Sequence, residues 1–326
     1  MAEKNQAEPR VFSIGGSYMR ILLTGPTGQI GSELLRALPT LGEVIAVDRA
    51  QTDMTDPEGI RKMVRSIGPD LVVNAAGYTD VDRAEREEEL AHRINATAPG
   101  ILAQEATRLG AALIHYSTDY VFNGRATSPY MPKDEPDPIN AYGRTKLAGE
   151  KAVSASGCAS LIIRTSWVYS TRGSNFLSSI LEQAPNKREL RVVDDQFGCP
   201  TWSRTVAQAT TQIIARALVP QGQAWSFAEA GGIYHLACQG VTSRFGLARR
   251  IIELAEISPE PTVVPVPTEA HAAAADRPRF SALCCDSTVR QFEIELPHWE
   301  SALEAALCCE DRNKPHTACT NWEAGS

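Results

Sequence analysis

The sequence predicts an α/β protein in which a Rossmann-like, doubly wound parallel sheet is followed by a smaller C-terminal lobe. Short apolar segments alternate with amphipathic helical segments from residue 19 to about residue 170, and a glycine-rich turn joins the first apolar segment to the first helix. Alternating strands and helices favour a parallel sheet covered on both faces. The alternation stops after Trp167. We therefore assign residues 19–170 to the sheet domain and residues 171–307 mainly to the lobe.

The individual elements follow from hydrophobic period and from punctuation by turn residues. The predicted strands are residues 20–24, 43–48, 70–74, 111–117, 160–164 and 262–267, and the predicted helices are residues 32–38, 57–66, 85–109, 142–154, 203–217 and 243–255. A segment bearing Gln, Asp, Gly and Pro at residues 193–201 is predicted to be a loop that faces the substrate, which makes the lobe a substrate-binding lobe. Residues 1–18 and 308–326 lack periodicity, so we expect a flexible extension and a disordered tail.

Composition excludes several classes of protein. The chain has 326 residues, 43% of them apolar, a formal net charge of -7 and no block of Lys and Arg, so a nucleic-acid partner is not expected. No apolar stretch approaches the ~20 residues of a membrane helix, and we expect a cytoplasmic protein without a membrane partner. The eight cysteines form no Cys-x-x-Cys pair. We interpret them as reduced thiols and predict no metal site.

The turn at residues 24–31, with the sequence TGPTGQIG, places Gly25, Gly28 and Gly31 between a strand and a helix. These glycines would permit a tight turn, close approach of a pyrophosphate to backbone N–H groups, and close packing of helix on strand. Alone the spacing is a weak signal. The acid Asp48, at the end of the second strand, strengthens the prediction of dinucleotide binding to the Rossmann domain.

The residues after the second strand leave the choice of cofactor open. A carboxylate at Asp48 can accept from both ribose hydroxyls and repel a 2′-phosphate, which favours NADH, whereas Arg49 could pair with that phosphate. Asp53 could accept a hydrogen bond from the adenine amine or could simply be solvated. The small residues at 74–77 could let the backbone lie against the cofactor, or could reflect packing alone.

Tyr142 and Lys146 are spaced as a catalytic pair. Residues i and i+4 share one helix face, so the Lys146 ammonium can lie close to the Tyr142 oxygen and lower the pKa of the phenol from its usual ~10. Such a phenol is a proton donor suited to hydride chemistry. Thr118 ends the fourth strand and could orient a substrate carbonyl, or it could serve only as a turn or cap residue.

Three further residues have two interpretations each. Asn95 could bridge the Lys146 ammonium to water or be an exposed helical residue. Trp167 could stack on a sugar or on the nicotinamide, or it could belong to the core. His115 lies inside an apolar strand, and we interpret it as a core residue rather than a catalyst.

Five motifs resemble those of the extended short-chain dehydrogenase/reductase superfamily and, within it, of the dTDP-4-dehydrorhamnose reductases. The resemblance covers residues 19 to about 307. Its motifs are STDYVF at 117–122, NAYGRTKLAGE at 140–150, RTSWVY at 164–169, DQFGCPT at 195–201 and RPR at 277–279.

The resemblance implies a role for each matching residue. Tyr142 would be the acid, Lys146 its partner and a ribose ligand, and Thr118 the hydroxyl that orients the keto group. The implied sugar contacts are Thr118, Asp119 and Trp167, and the implied cofactor contacts are Gly28, Gln29, Ile30, Asp48, Asp53, Met54, Gly77, Tyr78, Thr79 and Tyr116. Arg49 is a departure from the family pattern. Some members of the family hold Mg²⁺ at a dimer interface, for which Glu33 is a candidate that we leave open.

The implied reaction is reduction of dTDP-4-dehydro-β-L-rhamnose by NADPH or NADH to dTDP-L-rhamnose, in dTDP-rhamnose and cell-surface polysaccharide biosynthesis. Sugar-nucleotide dehydration would need an acid pair after the threonine, and Tyr120 stands where its Glu would be. A second class remains open, because the regulatory subunit of methionine adenosyltransferase resembles the same fold without catalysis. Another nucleotide-sugar reductase or epimerase also remains possible, as do a monomer and a homodimer.

Overall fold

A computed structural model describes residues 19–217, 227, 229–270 and 273–311. The predicted extension at residues 1–18 and the part of the predicted tail from residue 312 onward lie outside this description. The beginning of that tail is not as predicted, because the last helix continues to Asp311.

Twelve strands are present in the described part of the chain. They are β1 Met19–Thr24, β2 Gly42–Val47, β3 Leu71–Asn74, β4 Ala112–Thr118, β5 Ser160–Thr165, β6 Val168–Tyr169, β7 Glu189–Val193, β8 Phe197–Gly198, β9 Thr201–Trp202, β10 Gly232–His235, β11 Thr242–Ser243 and β12 Thr262–Val266. Six of them form one parallel sheet in the order β10-β5-β4-β3-β1-β2. The chain starts at β1, runs outward to β2 and then crosses to β3, so the sheet is doubly wound, as predicted.

In the residues that the structure describes, eleven α-helices connect or cover these strands. They are α1 Gln29–Ala37, α2 Pro57–Ile67, α3 Val81–Ala84, α4 Glu88–His92, α5 Ala98–Leu109, α6 Ala141–Ala155, α7 Phe176–Gln183, α8 Ser203–Ala217, α9 Arg244–Leu254, α10 Asp286–Phe292 and α11 Trp299–Asp311. The predicted single helix at 85–109 is wrong in detail, because α4 and α5 are separated by a π-helical segment, Arg93–Thr97.

Alternate residues of the central strands pack against helices on opposite faces of the sheet, which is why these strands are apolar throughout. On one face Leu23 and Ile163 pack with Leu34 of α1 and Ile213 of α8. On the other face the central strands pack against α2, α5 and α6. Because helices cover both faces of the sheet, its accessible part is the end at which the strands have their carboxyl termini.

The C-terminal lobe has its own apolar core, formed by α7, α9, α11 and the parallel pair β7–β12. The predicted loop at 193–201 contains the short strands β8 and β9. One correction concerns the predicted division at residue 170: β10 pairs with β5 in the central sheet, and α8 packs on that sheet as well. The division into two units otherwise stays a prediction.

Among the described residues, no helix is long and apolar enough to cross a membrane. The seven cysteines in this part of the chain are free thiols. The same part contains no group of three or more His, Cys, Asp and Glu side chains arranged to hold a metal ion.

Candidate active site

The glycine-rich turn brings the start of α1 to the carboxyl end of β1. Gly25 has φ +69°, and a Cβ there would lie 2.6 Å from the Ala76 nitrogen; a Cβ on Gly31 would lie 1.9 Å from the Gly25 carbonyl oxygen. Gly28 caps α1 without a side-chain hydrogen bond, and a Cβ there would meet nothing nearer than 3.4 Å. The first N–H groups of α1 therefore face outward, as a pyrophosphate site requires.

One cleft of about 1970 Å³ extends from this turn, across the carboxyl ends of the sheet, to the C-terminal lobe. The predicted site residues that line it are Gly28, Gln29, Ile30, Gly77, Thr79, Tyr116, Thr118, Asp119, Tyr142, Lys146 and Trp167. Predicted cofactor, catalytic and sugar residues therefore share one cleft. Its location matches the strand-end position at which open α/β sheets bind ligands.

The two acids that follow β2, Asp48 and Asp53, do not line this cleft. Their carboxylates accept hydrogen bonds from backbone N–H groups of nearby residues. Asp48 Oδ1 accepts from the backbone N–H of Ala50 over 2.9 Å and of Gln51 over 3.2 Å. Asp53 Oδ1 accepts from the N–H of Thr55 over 2.8 Å, and this hydrogen bond lowers the pKa of Asp53. Arg49 and Met54 also lie outside the lining. Their contacts with a cofactor stay predictions.

Asn95 is fully buried, so the interpretation of it as an exposed helical residue is wrong, and its bridging of the Lys146 ammonium to water stays a prediction. Its Oδ1 accepts from the Tyr78 N–H over 2.8 Å, and its Nδ2 donates to the Tyr78 carbonyl over 3.0 Å and to Thr145 Oγ1 over 3.1 Å. The amide thus fixes the segment beside Gly77 against α6. The π-helical segment that carries Asn95 is of a kind found at functional sites.

Tyr142 and Thr118 meet at the centre of the cleft. Their hydroxyls lie close enough to interact, and Thr118 Oγ1 donates to Asp119 Oδ1 over 3.1 Å and accepts from the Tyr120 N–H over 3.1 Å. The predicted lowering of the Tyr142 pKa is wrong for this arrangement, because burial raises it. The phenol therefore keeps its proton at neutral pH.

Lys146 is buried and its Nζ donates to the Tyr116 carbonyl at the end of β4, over 2.5 Å. Burial lowers the pKa of the ammonium to about 8, and the Glu150 carboxylate opposes that shift. The group that titrates near neutral pH is accordingly the lysine rather than the phenol.

Asp119 lies beside the hydroxyl pair and is only 2% exposed. Burial raises its pKa to about 6, although hydrogen bonds from Ser166 and Thr118 stabilise its charged form. Ser166 Oγ donates to Oδ2 over 3.0 Å. A carboxyl held in this way adjoins the position where a sugar would be bound.

Trp167 lines the cleft in a left-handed conformation, with φ 44°, which is unusual for a bulky side chain. The Arg244 guanidinium lies 3.6 Å from the centroid of its ring. A Cβ on Gly198 would come within 2.4 Å of the indole. One ring face is thus covered by a cation, so the indole supports Arg244 as well as lining the cleft.

We expect Trp167→Leu to raise the KM for the substrate by about 3- to 10-fold, because Arg244 loses a cation–π contact of about 0.5–2 kcal/mol. Trp202→Leu is the matched control, since Trp202 carries Arg204 at 4.6 Å and lies outside the cleft. Steady-state kinetics and thermal melts on both variants separate the effects. An unchanged KM in Trp167→Leu would contradict a role in substrate binding.

A group of arginines in the cleft was not predicted as part of the site. Arg244, Arg277 and Arg279 line it, and Tyr120 lies close to the first two. Arg277 donates to both oxygens of Asp82, over 2.6 Å and 3.1 Å. The RPR motif at 277–279 was a signal for two of them, but nothing in the sequence marked Arg244. Their charge favours an anionic substrate.

Two other residues have structural positions. His115 is fully buried in β4 with Nδ1 3.0 Å from the Asn74 amide nitrogen, which places it in the core as predicted. The Glu33 carboxylate accepts from Arg204 Nε over 3.0 Å. A metal at Glu33 would therefore compete with a guanidinium, and Mg²⁺ binding there has no support from this geometry.

The family model described as the RmlD substrate binding domain matches residues 19–310. The dTDP-4-dehydrorhamnose reductase of Burkholderia thailandensis is 41% identical over 299 residues, which cover 90% of this chain and 99% of that protein. The Escherichia coli K12 protein of the same name is 42% identical over 297 residues, covering 89% and 97%. The crystal structure of the Bacillus anthracis dTDP-4-dehydrorhamnose reductase in complex with NADP has a TM-score of 0.81 and 33% identity, covering 89% of this chain and 99% of that one. This chain therefore belongs to the dTDP-4-dehydrorhamnose reductase family.

Proposed function

We propose that this chain is an NAD(P)H-dependent oxidoreductase that reduces dTDP-4-dehydro-β-L-rhamnose to dTDP-L-rhamnose. The observation that carries the proposal is that Thr118, Tyr142 and Lys146 line the same cleft as the start of α1. Relatives about 40% identical over nine-tenths of the chain are named for this reaction. The reaction belongs to dTDP-rhamnose biosynthesis and thereby to cell-surface polysaccharide biosynthesis.

The residues present fit a nicotinamide dinucleotide. Gly28, Gln29 and Ile30 offer outward-facing backbone at the start of α1, and Gly77 and Thr79 line the same cleft. Lys146 lies where it can hold a ribose hydroxyl. A relative of the same family binds NADP. When bound, the reduced cofactor supplies the hydride.

The side chains of the cleft perform the remaining steps. Thr118 orients the keto oxygen at C4 of the sugar through a hydrogen bond. Tyr142 donates its phenolic proton to that oxygen as negative charge develops, which is favourable because an alkoxide is far more basic than a phenolate. Lys146 keeps a positive charge close to the phenolate that remains. Arg244 and Arg277 neutralise the diphosphate of the sugar nucleotide.

The protein is inferred to act in the cytoplasm, as a monomer or homodimer, without nucleic acid. The net charge of -7 and the absence of a basic block support this inference. Localisation tests the compartment, and light scattering tests the oligomeric state.

The assay that tests the proposed function follows NAD(P)H absorbance in the presence of dTDP-4-dehydro-β-L-rhamnose and identifies the product. Stoichiometric oxidation with formation of dTDP-L-rhamnose is expected. Cofactor binding without turnover would favour the regulatory-subunit alternative, and turnover of a different keto sugar nucleotide would favour another reductase or epimerase.

Asp48 and Arg49 are expected to set cofactor preference in opposite directions. Asp48→Ala should improve kcat/KM for NADPH relative to NADH by about 5- to 10-fold, because a carboxylate repels the 2′-phosphate. Arg49→Ala should shift the ratio the other way by a similar factor. Lys62→Ala, on the exposed side of α2, serves as a surface-charge control. Equal shifts in both variants would show that neither residue reads the 2′ position.

A further inference from the structure

One helical turn beyond Lys146 on α6, Glu150 belongs to a buried network that the steps above do not use. Glu150 is 2% and Arg164 1% exposed. The Arg164 guanidinium donates from Nε to Glu150 Oε1 over 2.9 Å and from Nη2 to Oε2 over 2.6 Å. Ser117 Oγ donates to Oε1 over 2.5 Å. Both carboxylate oxygens are thus satisfied in a dry environment.

This network joins the catalytic helix to two strands at the level of the active site. Lys146 Nζ donates to the carbonyl of Tyr116 on β4, and the Glu150 carboxylate accepts from the hydroxyl of the next residue, Ser117. Ser117 lies opposite Arg164 in the register of β4 and β5. Two successive turns of α6 are therefore anchored to two successive residues of β4.

Stability alone is a weak reason for such a pair. Replacing a buried ion pair by apolar residues of similar volume is often neutral or stabilising, because desolvation offsets much of the Coulomb attraction. The positions of Tyr142, Lys146 and Glu150 follow an i, i+4, i+8 spacing, which places the three side chains on one face of α6. That shared face points to a role in the reaction.

The charges around Lys146 give Glu150 a specific task. Glu150 faces the ammonium from α6, where Tyr142 lies one turn away on the same face. His115 and the Tyr116 carbonyl face it from β4, and Arg164 from β5 through the shared carboxylate. Burial lowers the pKa of His115, which is neutral, and raises that of Tyr116, so Glu150 supplies the negative charge in this group. Without that charge a buried ammonium would face a buried guanidinium.

We propose that Glu150, clamped by Arg164 and Ser117, is a positioning residue that keeps Lys146 charged and anchored to β4, and thereby orients the Tyr142 face of α6. This inference rests on the proposed reductase function. Glu150 acts through Lys146 and does not touch the substrate.

The test begins with Glu150→Gln, which removes the charge and keeps the volume. Because Lys146 must be protonated, activity is lost as pH rises through its pKa, and removing the carboxylate lowers that pKa. We expect the basic limb of kcat/KM to move about one unit toward lower pH. We expect kcat at pH 7 to fall by about 10- to 100-fold through misplacement of the reacting groups. Glu150→Asp should restore the position of the limb.

Glu105→Gln is the matched control. Glu105 is a buried carboxylate on α5 that accepts from Arg65 Nε and Nη2, each over 2.7 Å, and it lies outside the cleft. Its loss should lower the melting temperature and leave kcat and the pH profile unchanged. If Glu150→Gln behaves in the same way, Glu150 is merely structural and the proposal is wrong.

Two further measurements cover a variant that does not fold and an enzyme that does not turn over. Glu150→Leu with Arg164→Met removes both buried charges, a replacement compatible with folding; at least a tenfold loss of kcat is expected, and wild-type kcat would overturn the proposal. The Lys146 ¹³Cε resonance, assigned with Lys146→Arg, should titrate about one unit lower in Glu150→Gln. An inactive wild type would refute the proposed function, whereas an unshifted Lys146 titration would refute the role of Glu150.

Discussion

Tyr142→Phe is expected to lower kcat by about 10²- to 10⁴-fold, the range for losing a positioned proton donor, while the Kd for NAD(P)H stays within about twofold. The variant removes one oxygen atom, which lies close to the Thr118 hydroxyl in the cleft. Single-turnover kinetics with saturating cofactor measure the chemical step directly. Tyr234→Phe is the control, because its hydroxyl donates to the Ala230 carbonyl outside the cleft.

The pH dependence of the same reaction distinguishes the two members of the catalytic pair. Burial raises the pKa of Tyr142 and lowers that of Lys146 to about 8, so activity should fall above pH 8 as the lysine loses its proton. In Lys146→Met this limb should be absent from the residual activity. More than half of wild-type turnover in Tyr142→Phe would remove the phenol from the role of acid.

Five of the six central strands could be predicted to within one residue at each end, because each is an apolar run bounded by turn residues. The sixth, β10, could not. It contributes four residues, GIYH, to the edge of the sheet, and its partner β5 is remote in sequence. Local pattern contains no information about such a pairing, so the lobe appeared more separate from the sheet than it is.

The site was predictable where chemistry depends on spacing along one element. The turn glycines and the pair Tyr142 and Lys146 are of this kind. Asn95 could not be placed, because its partners are backbone atoms of Tyr78 on another segment and its own segment is π-helical. Arg244, on α9, packs on Trp167, and neither sequence segment by itself predicts this contact.

Electrostatics were the least predictable part of the site. An i+4 lysine near a tyrosine predicts a lowered phenol pKa if solvent exposure is ignored, yet burial dominates at Tyr142. Glu150 and Arg164 stand inside two recognised motifs, but only the fold brings them together between α6 and β5. Burial and pairing are properties of the packed structure and are not encoded in spacing.

Gly31→Ala is expected to damage both folding and cofactor binding. The added Cβ would lie 1.9 Å from the Gly25 carbonyl oxygen and 2.8 Å from the carbonyl carbon. The turn and α1 must therefore move apart. Such overpacking costs about 1–3 kcal/mol, which corresponds to a loss of several degrees in melting temperature. Because the displaced N–H groups are those proposed to hold the pyrophosphate, the Kd for NAD(P)H should rise by at least about tenfold.

Gly28→Ala is the variant that separates these two effects. Its Cβ would meet the Gly25 carbonyl oxygen at 3.4 Å, an ordinary contact, but would project from the N-cap of α1 toward the cleft. The melting temperature should therefore stay close to wild type while the Kd for NAD(P)H, measured by fluorescence titration, rises about tenfold. Wild-type affinity in Gly28→Ala would show that the pyrophosphate does not approach the backbone at this turn, whatever Gly31→Ala does to stability.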